Sequence, residues 1–130
     1  MSAATSYVRL MVVDDSNMIR SRISQVVQGG GLGPIHLVGL ARNGAEAVRM
    51  ARATQPELVT MDLTMPEMDG IECIGQLLKM NPRLNILVVS ALSDKSTAIA
   101  ALKRGARGFL AKPFSDDELR MALLEVMEAR

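Results

Sequence analysis

The stretch "ELVTMDLTMPEMDG", residues 57–70, holds the unit from which the fold is built. Its apolar run over 58–62 is typical of a buried strand, and that strand ends on a carboxylate, Asp62. A proline and an Asp-Gly pair then indicate a turn, and helical spacing follows over 70–81. The stretch therefore predicts one strand-turn-helix unit with a charge at the mouth of the strand.

The same alternation extends from this unit toward both ends of the chain. Apolar runs of strand length alternate with stretches of helical spacing, and Ser or Asn residues with Glu three positions later stand at two predicted helix starts. The predicted strands cover 8–13, 35–41, 58–62, 85–90 and 108–111, and the predicted helices cover 16–28, 43–55, 70–81, 94–105 and 115–129. We therefore predict an α/β fold, a doubly wound (βα)5 domain with a five-stranded parallel sheet.

The bulk composition argues against several classes of protein. The chain has 130 residues, which suits one domain over 8–130 preceded by a loose tail over 1–7. Its net charge of +1 argues against an extended nucleic-acid surface, and its apolar runs are too short to cross a membrane. A single cysteine, Cys73, excludes an internal disulfide and fits a reducing compartment, so we expect a cytoplasmic protein.

Polar side chains stand at the carboxyl ends of four predicted strands. In an open parallel sheet the ligand site lies beyond these ends. With the second strand at an edge, the remaining strand ends would share one cleft. Three carboxylates held there would repel one another unless cations neutralised them. The residues are Asp14, Asp15, Asp62, Ser90 and Lys112.

This set of charges indicates metal-assisted phosphoryl transfer. Lys112 offers one positive charge, and Mg²⁺, which prefers oxygen ligands, would supply the rest. Positioning and charge neutralisation provide most of the catalysis in such reactions. Asp62 stands alone on the central strand, so it is the best candidate for a nucleophile that forms an acyl phosphate.

Four short strings together resemble a known family. "MVVDDS", "MDLTMPEMDG", "VVSA" and "GARGFLAKPF" occur in the order and spacing of the receiver domain of two-component response regulators, over residues 8 to about 128. The resemblance implies a flavodoxin-like fold with strand order 2-1-3-4-5. It also implies a signalling switch that receives a phosphoryl group from a histidine kinase. Such a switch is not an enzyme beyond its own phosphorylation and slow dephosphorylation.

The resemblance assigns a role to each charged residue of the cleft. Asp62 resembles the phosphoryl acceptor, and Lys112 resembles the lysine that pairs with the phosphate. The protein ligands of Mg²⁺ would be Asp14, Asp15, Asp62 and the backbone carbonyl of Thr64.

The resemblance also implies a route from phosphorylation to partner binding. Ser90 resembles the switch hydroxyl that bonds a phosphate oxygen. Phe109 occupies the aromatic switch position, with ordinary core packing as the alternative. The fourth helix, fifth strand and fifth helix would form the readout face. Its near part is basic, which suggests an acidic partner surface, and carries Lys95, Lys103, Arg104 and Arg107.

Two alternatives remain open from the sequence. A phosphatase of the haloacid dehalogenase type also uses an aspartyl nucleophile, a Lys and Mg²⁺. That family expects a second Asp where Thr64 stands, and it expects the nucleophile on the first strand. The other alternative is a receiver working inside a larger regulator. If the chain is complete, its output is protein binding, as in the single-domain chemotaxis type, with a flagellar motor switch or a phosphatase as the downstream partner.

Two positions bear on the lifetime of the phosphorylated state. In the family, the residues two after the acceptor and two after the switch hydroxyl tune how the hydrolytic water is held; here they are Thr64 and Leu92. Leu92 cannot orient water, so we expect slower self-dephosphorylation than in relatives with a carboxylate or amide there.

Overall fold

The computed structural model describes residues 7–91 and 95–128, where five strands alternate with five helices. Each predicted element is present, and no end printed for the described residues differs from its predicted position by more than one residue. The strands are β1 Val8–Val13, β2 Ile35–Ala41, β3 Leu58–Met61, β4 Asn85–Ser90 and β5 Gly108–Ala111. The helices are α1 Asn17–Gln28, α2 Gly44–Thr54, α3 Gly70–Met80, α4 Lys95–Arg104 and α5 Asp116–Glu128.

All five strands form one parallel sheet in the order β2-β1-β3-β4-β5. This confirms the predicted order, with β2 at an edge and β3 in the centre. β1 and β3 are paired up to Val13 and Met61. The next residue of each strand, Asp14 and Asp62, is therefore delivered to the same end of the sheet.

Side chains of the sheet alternate between two apolar layers. Met11 and Met61 pack with α2, α3 and α4, whereas Leu10 and Leu58 pack with α1 and α5. Since helices cover both faces, the central strands are buried on both sides, and β3 and β4 are buried along their whole length. This explains why their sequences are continuous apolar runs rather than alternating ones.

Three helices that border the carboxyl ends of the strands begin at side-chain caps. The Ser16 hydroxyl accepts the N–H three residues later at 3.3 Å, and the Asp69 carboxylate does the same at 2.9 Å. Ser115 and Glu118 exchange both bonds of a capping box, at 3.0 and 2.8 Å. These caps fix where α1, α3 and α5 start relative to the strand ends.

The predicted pair at the start of α2 forms only half of a capping box. The Asn43 side chain accepts the Glu46 N–H at 2.8 Å, as expected. The Glu46 carboxylate instead accepts the N–H of Arg42, also at 2.8 Å. Its second oxygen lies 3.6 Å from the Arg42 guanidinium, so this ion pair draws the carboxylate one residue upstream.

Gly105 ends α4 in a left-handed conformation, with φ of 124°. Its N–H donates to Leu102 O at 3.0 Å, and the N–H of Ala106 donates to Ala101 O at 3.1 Å. This is the Schellman pattern, in which a glycine satisfies the last helical carbonyls and turns the chain. The turn directs the chain into β5.

Part of the predicted set lies outside the described residues, namely positions 1–6 of the tail, Leu92, positions 94 and 129 of two predicted helices, and the side chain of Lys95. Tyr7 is 57% exposed, and its ring meets that of His36 edge-on with centroids 6.4 Å apart. Within 7–91 and 95–128, no helix is long and apolar enough to cross a membrane.

Candidate functional site

The predicted cleft forms at the carboxyl ends of β1, β3 and β5. Backbone bonds hold its acidic and basic residues directly beyond the strands. The N–H of Asp62 donates to Val13 O at 2.9 Å, and the N–H of Lys112 donates to Ser90 O at 2.9 Å. These bonds continue the sheet by one residue and bring the two charged side chains to the same rim.

Three carboxylates meet at this rim, as the sequence predicted. One oxygen from each of Asp14, Asp15 and Asp62 lies within 4.8 Å of the others. Asp14 and Asp62 are buried, with 1% and 4% of their surface exposed, whereas Asp15 is exposed. The cluster therefore has two buried carboxylates and one that opens to solvent.

Lys112 is the cation of the cluster, but its closest partner is Asp14. Its Nζ lies 2.8 Å from Asp14 Oδ2 and 3.8 Å from Asp62 Oδ1. The Asp14 carboxylate also accepts the N–H of Ser16 at 2.9 Å. Both oxygens of the Asp14 carboxylate therefore have a close partner. The contacts of Asp62 fall on Oδ1, so its carboxylate is more available than that of Asp14 to bind another group.

Asp62 sits in surroundings that oppose its ionisation. Its pKa is raised from 3.8 to about 6, first by burial and then by the Asp14 carboxylate, with a smaller contribution from Asp15. Lys112 and the N–H of Thr64, which donates to Asp62 Oδ1 at 3.2 Å, act in the opposite direction. A nearby cation would stabilise the ionised carboxylate and so lower the pKa of Asp62.

The loop from β3 to α3 packs tightly under the cleft. A side chain at Gly70 would lie 2.6 Å from the Leu63 Cα and would also meet the Asp62 carbonyl. The Gly70 N–H donates to Leu63 O at 3.0 Å. Gly70 is therefore required by the close approach of the two backbone segments.

The donor set of the cluster fits a hard divalent cation. Carboxylate oxygens, and the carbonyl oxygen that Thr64 would offer, are ligands that Mg²⁺ accepts, while Cys73 lies buried elsewhere in the α3 layer. Mg²⁺ commonly takes one or two carboxylates from a protein before water and phosphate complete its shell, and the cluster offers three. The residues present therefore match the predicted cofactor in chemistry.

Ser90 and Phe109 occupy strand positions on the face of the sheet that packs against α2, α3 and α4. Ser90 is fully buried at the end of β4, two residues after Val88, and therefore lies on the same face of the sheet as Val88, which packs with α2, α3 and α4. Phe109, paired in register with Val88, is half-buried and packs against the same layer. The two predicted switch residues thus share the side of the sheet that carries α4.

The basic residues expected on the readout face lie on α4 and in the turn that follows it. The Arg104 guanidinium lies against α3 at Gly75, where an added side-chain carbon would come within 2.6 Å of its Nη2. Arg104, like Lys103 and Arg107, is exposed to solvent. The peptide bond between Lys112 and Pro113 is cis.

Arg20 is a polar residue of this region that the sequence reasoning did not single out. It is only 7% exposed, and its guanidinium donates to the backbone carbonyl of Asp14 and to the Asn17 side chain. The signal was present in the sequence, because Arg20 stands three residues before Ile23 and seven before Val27 on the apolar face of α1.

Known proteins share both the sequence pattern and the fold. The response regulator receiver domain family matches residues 10–124. The chemotaxis protein CheY of Thermotoga maritima is 37% identical over 118 residues, covering 91% of this chain and 96% of that protein. The protein-glutamate methylesterase/protein-glutamine glutaminase of Halobacterium salinarum is 42% identical over 105 residues, covering 79% of this chain and 29% of that protein.

A solved structure gives the same result at the level of the fold. The crystal structure of the CheX-CheY-BeF3-Mg+2 complex from Borrelia burgdorferi contains a chain that matches with a TM-score of 0.85 and 26% identity. The match covers 92% of this chain and 88% of that chain. Sequence matches of this identity and coverage, on a fold of the same architecture, show that the chain belongs to the response regulator receiver domain family.

Proposed function

We propose that this receiver is a phosphorylation-dependent signalling switch whose acceptor is Asp62. The observation that carries the proposal is the Asp62 carboxylate at the rim, within 4.8 Å of two further carboxylates and 3.8 Å from Lys112. A structural turn residue would not need two acidic neighbours and a lysine at this distance. An anionic, metal-assisted reaction needs all of them.

The proposed reaction transfers a phosphoryl group to one oxygen of Asp62. The carboxylate oxygen attacks phosphorus, the bond from phosphorus to the donor's histidine nitrogen breaks, and an acyl phosphate forms. Lys112 then pairs with a phosphate oxygen, and water later restores the carboxylate and releases phosphate. Bound to Asp14, Asp15, Asp62 and the Thr64 carbonyl, Mg²⁺ would neutralise charge on the transferred group. Ionisation of Asp62 is needed for the attack, and a pKa of about 6 leaves most of it ionised at neutral pH.

The proposed switch follows from which side of the sheet its residues occupy. A phosphoryl group at the rim would draw the Ser90 hydroxyl, and Phe109 packs on the same side as Ser90. Movement of both would reach α4, so the readout face would be α4, β5 and α5. Two apolar side chains on α4, Ile99 and Leu102, are 50% and 45% exposed and offer contact area to a partner.

We further propose a role in chemotaxis or motility, in the cytoplasm, with one receiver unit over 8–130. The support is the likeness to CheY proteins over most of the chain. The phosphoryl donor would be a histidine kinase, and the downstream partner a flagellar motor switch or a phosphatase. In the Borrelia burgdorferi complex the CheY chain is bound to CheX, which supports a protein as the output partner. The family assignment disfavours the haloacid dehalogenase alternative.

Incubation with acetyl phosphate and Mg²⁺, followed by intact-protein mass spectrometry, tests the acceptor. The wild type should gain one phosphoryl group, and Asp62→Asn should gain none. Asp69→Asn is the matched control, because it neutralises an exposed carboxylate of the same loop while Asn keeps the helix cap. Unaltered phosphorylation of Asp62→Asn would refute the assignment, as would turnover of p-nitrophenyl phosphate at ordinary enzyme rates.

A further inference from the structure

Arg20 is a buried cation in a place that does not favour one. It lies in the first turns of α1, where the helix dipole is positive, and it is only 7% exposed. A buried charge needs compensating hydrogen bonds or nearby opposite charge. The guanidinium has the hydrogen bonds, because it donates to the Asp14 carbonyl and to the Asn17 side chain in the segment that carries two of the three clustered carboxylates.

The contact made by Arg20 falls on one particular peptide. Its Nη1 donates to the carbonyl oxygen of Asp14, which belongs to the peptide that joins Asp14 to Asp15. Its Nη2 donates to the Asn17 side chain at the start of α1. A planar guanidinium bonded at two points fixes the orientation of the peptide relative to the helix.

Asp15 is the residue that depends most on this orientation. Asp14 is anchored by its own contacts, with Lys112 and the Ser16 N–H on its carboxylate and its N–H on Ala41 O. The Asp15 carboxylate has no hydrogen bond or ion pair within 7–91 and 95–128. Its position is therefore set by the backbone alone.

We infer that Arg20 is a positioning residue that holds the Asp14–Asp15 peptide so that the Asp15 carboxylate is preset for Mg²⁺. The inference rests on the proposed metal site. Groups that orient metal ligands in this way are typically worth about 10- to 100-fold in metal affinity. Arg20→Met should therefore raise the dissociation constant for Mg²⁺ by about that factor.

The direction of the change separates this role from two others. If Arg20 acted only through its charge, its removal would make the cluster more negative, and Mg²⁺ would bind more tightly. If Arg20 only filled the core, stability would fall and the affinity for Mg²⁺ would stay the same. Weaker binding by a protein that has lost a positive charge is expected only from the positioning role.

Calorimetric titration of the unphosphorylated protein with Mg²⁺ measures this directly. Arg22→Met is the matched control, because Arg22 is on the same helix but pairs with Asp116 at the surface, 3.3 Å away. It removes the same charge and should leave the dissociation constant within about twofold of wild type, since exposed charges are screened. An Arg20→Met constant equal to or below that of wild type overturns the inference.

Two further variants keep the test decisive if Arg20→Met does not fold. Arg20→Lys keeps the charge but loses the two-point fork, so its Mg²⁺ affinity should fall between wild type and Arg20→Met. Asn17→Ala removes the second anchor and should weaken binding less than Arg20→Met does. Asn17→Ala should lower the Mg²⁺ affinity less in the Arg20→Lys background than in wild type, because the Arg20 and Asn17 side chains act as a unit. Wild-type affinity in both single variants would overturn the inference.

The wild-type titration separates this inference from the proposed function. If wild type binds Mg²⁺ and the Arg20 variants bind it equally well, only the positioning role fails. If wild type shows no saturable binding, the proposed metal site fails and the positioning role fails with it.

Discussion

Replacing Asp62 by Asn should stabilise the metal-free protein at neutral pH. The folded state holds this carboxylate in a buried position beside Asp14 and Asp15, so its pKa is raised from 3.8 to about 6. A raised pKa means that the folded protein binds the proton more tightly than the unfolded chain does. Stability from this group is therefore greatest at low pH and is lost as the pH rises from about 4 to about 6.

The size of the effect follows from that interval. Each tenfold change in the acid constant is about 1.4 kcal/mol, so the interval from 3.8 to about 6 corresponds to about 3 kcal/mol. Asn is uncharged and close to the protonated acid in shape. Asp62→Asn should therefore add about 3 kcal/mol to the free energy of unfolding at about pH 7, about half of that near pH 5, and about a fifth of that near pH 4.

Urea unfolding in the presence of a chelator, followed by circular dichroism across this pH range, measures the difference. Asp69→Asn is again the control, since it is exposed and keeps its cap, and it should change stability by less than about 0.5 kcal/mol. Mg²⁺ should stabilise wild type more than Asp62→Asn, because a ligand stabilises the folded state only through differential binding.

If Asp62→Asn raised the free energy of unfolding equally at low and at neutral pH, the reasoning would be refuted. Such a result would mean that Asn improves packing or hydrogen bonding and that ionisation of Asp62 costs nothing in the folded state. A loss of stability at neutral pH would show that the bonds from Lys112 and the Thr64 N–H outweigh burial.

Three further substitutions test the fold around the site. Gln55→Gly should stabilise the protein by up to about 1 kcal/mol in urea unfolding, because Gln55 ends α2 in a left-handed conformation with φ of 50°. Gly70→Ala should lower the free energy of unfolding by about 1–3 kcal/mol and slow phosphorylation by acetyl phosphate, because its side chain would collide with Asp62 and Leu63. Thr60→Val should raise stability by about 1 kcal/mol, since the Thr60 hydroxyl is buried and has no hydrogen-bond partner among the residues that the structure describes. For each substitution, a midpoint of urea unfolding that is unchanged or shifted in the opposite direction would contradict the prediction.

Local patterns were enough to predict the elements of this fold. Each strand is an apolar run and each helix has an apolar face at helical spacing, so the two periodicities separate cleanly along the chain. Asp62 and Lys112 could be proposed as neighbours because parallel strands present their carboxyl ends at one edge of the sheet. The order of the strands came from the family resemblance, and the sheet confirms it.

The sequence alone determined which residues reach the rim, because a strand's end is a local property of the chain. Only the tertiary structure decided which of those residues pair with one another, which are buried and which are hard to ionise. It placed Lys112 nearer to Asp14 than to Asp62, buried two carboxylates while leaving Asp15 exposed, and raised the pKa of Asp62. It also brought the guanidinium of Arg20 to the Asp14 carbonyl. These outcomes depend on distances and desolvation among segments far apart in the sequence, which no local pattern of residues records.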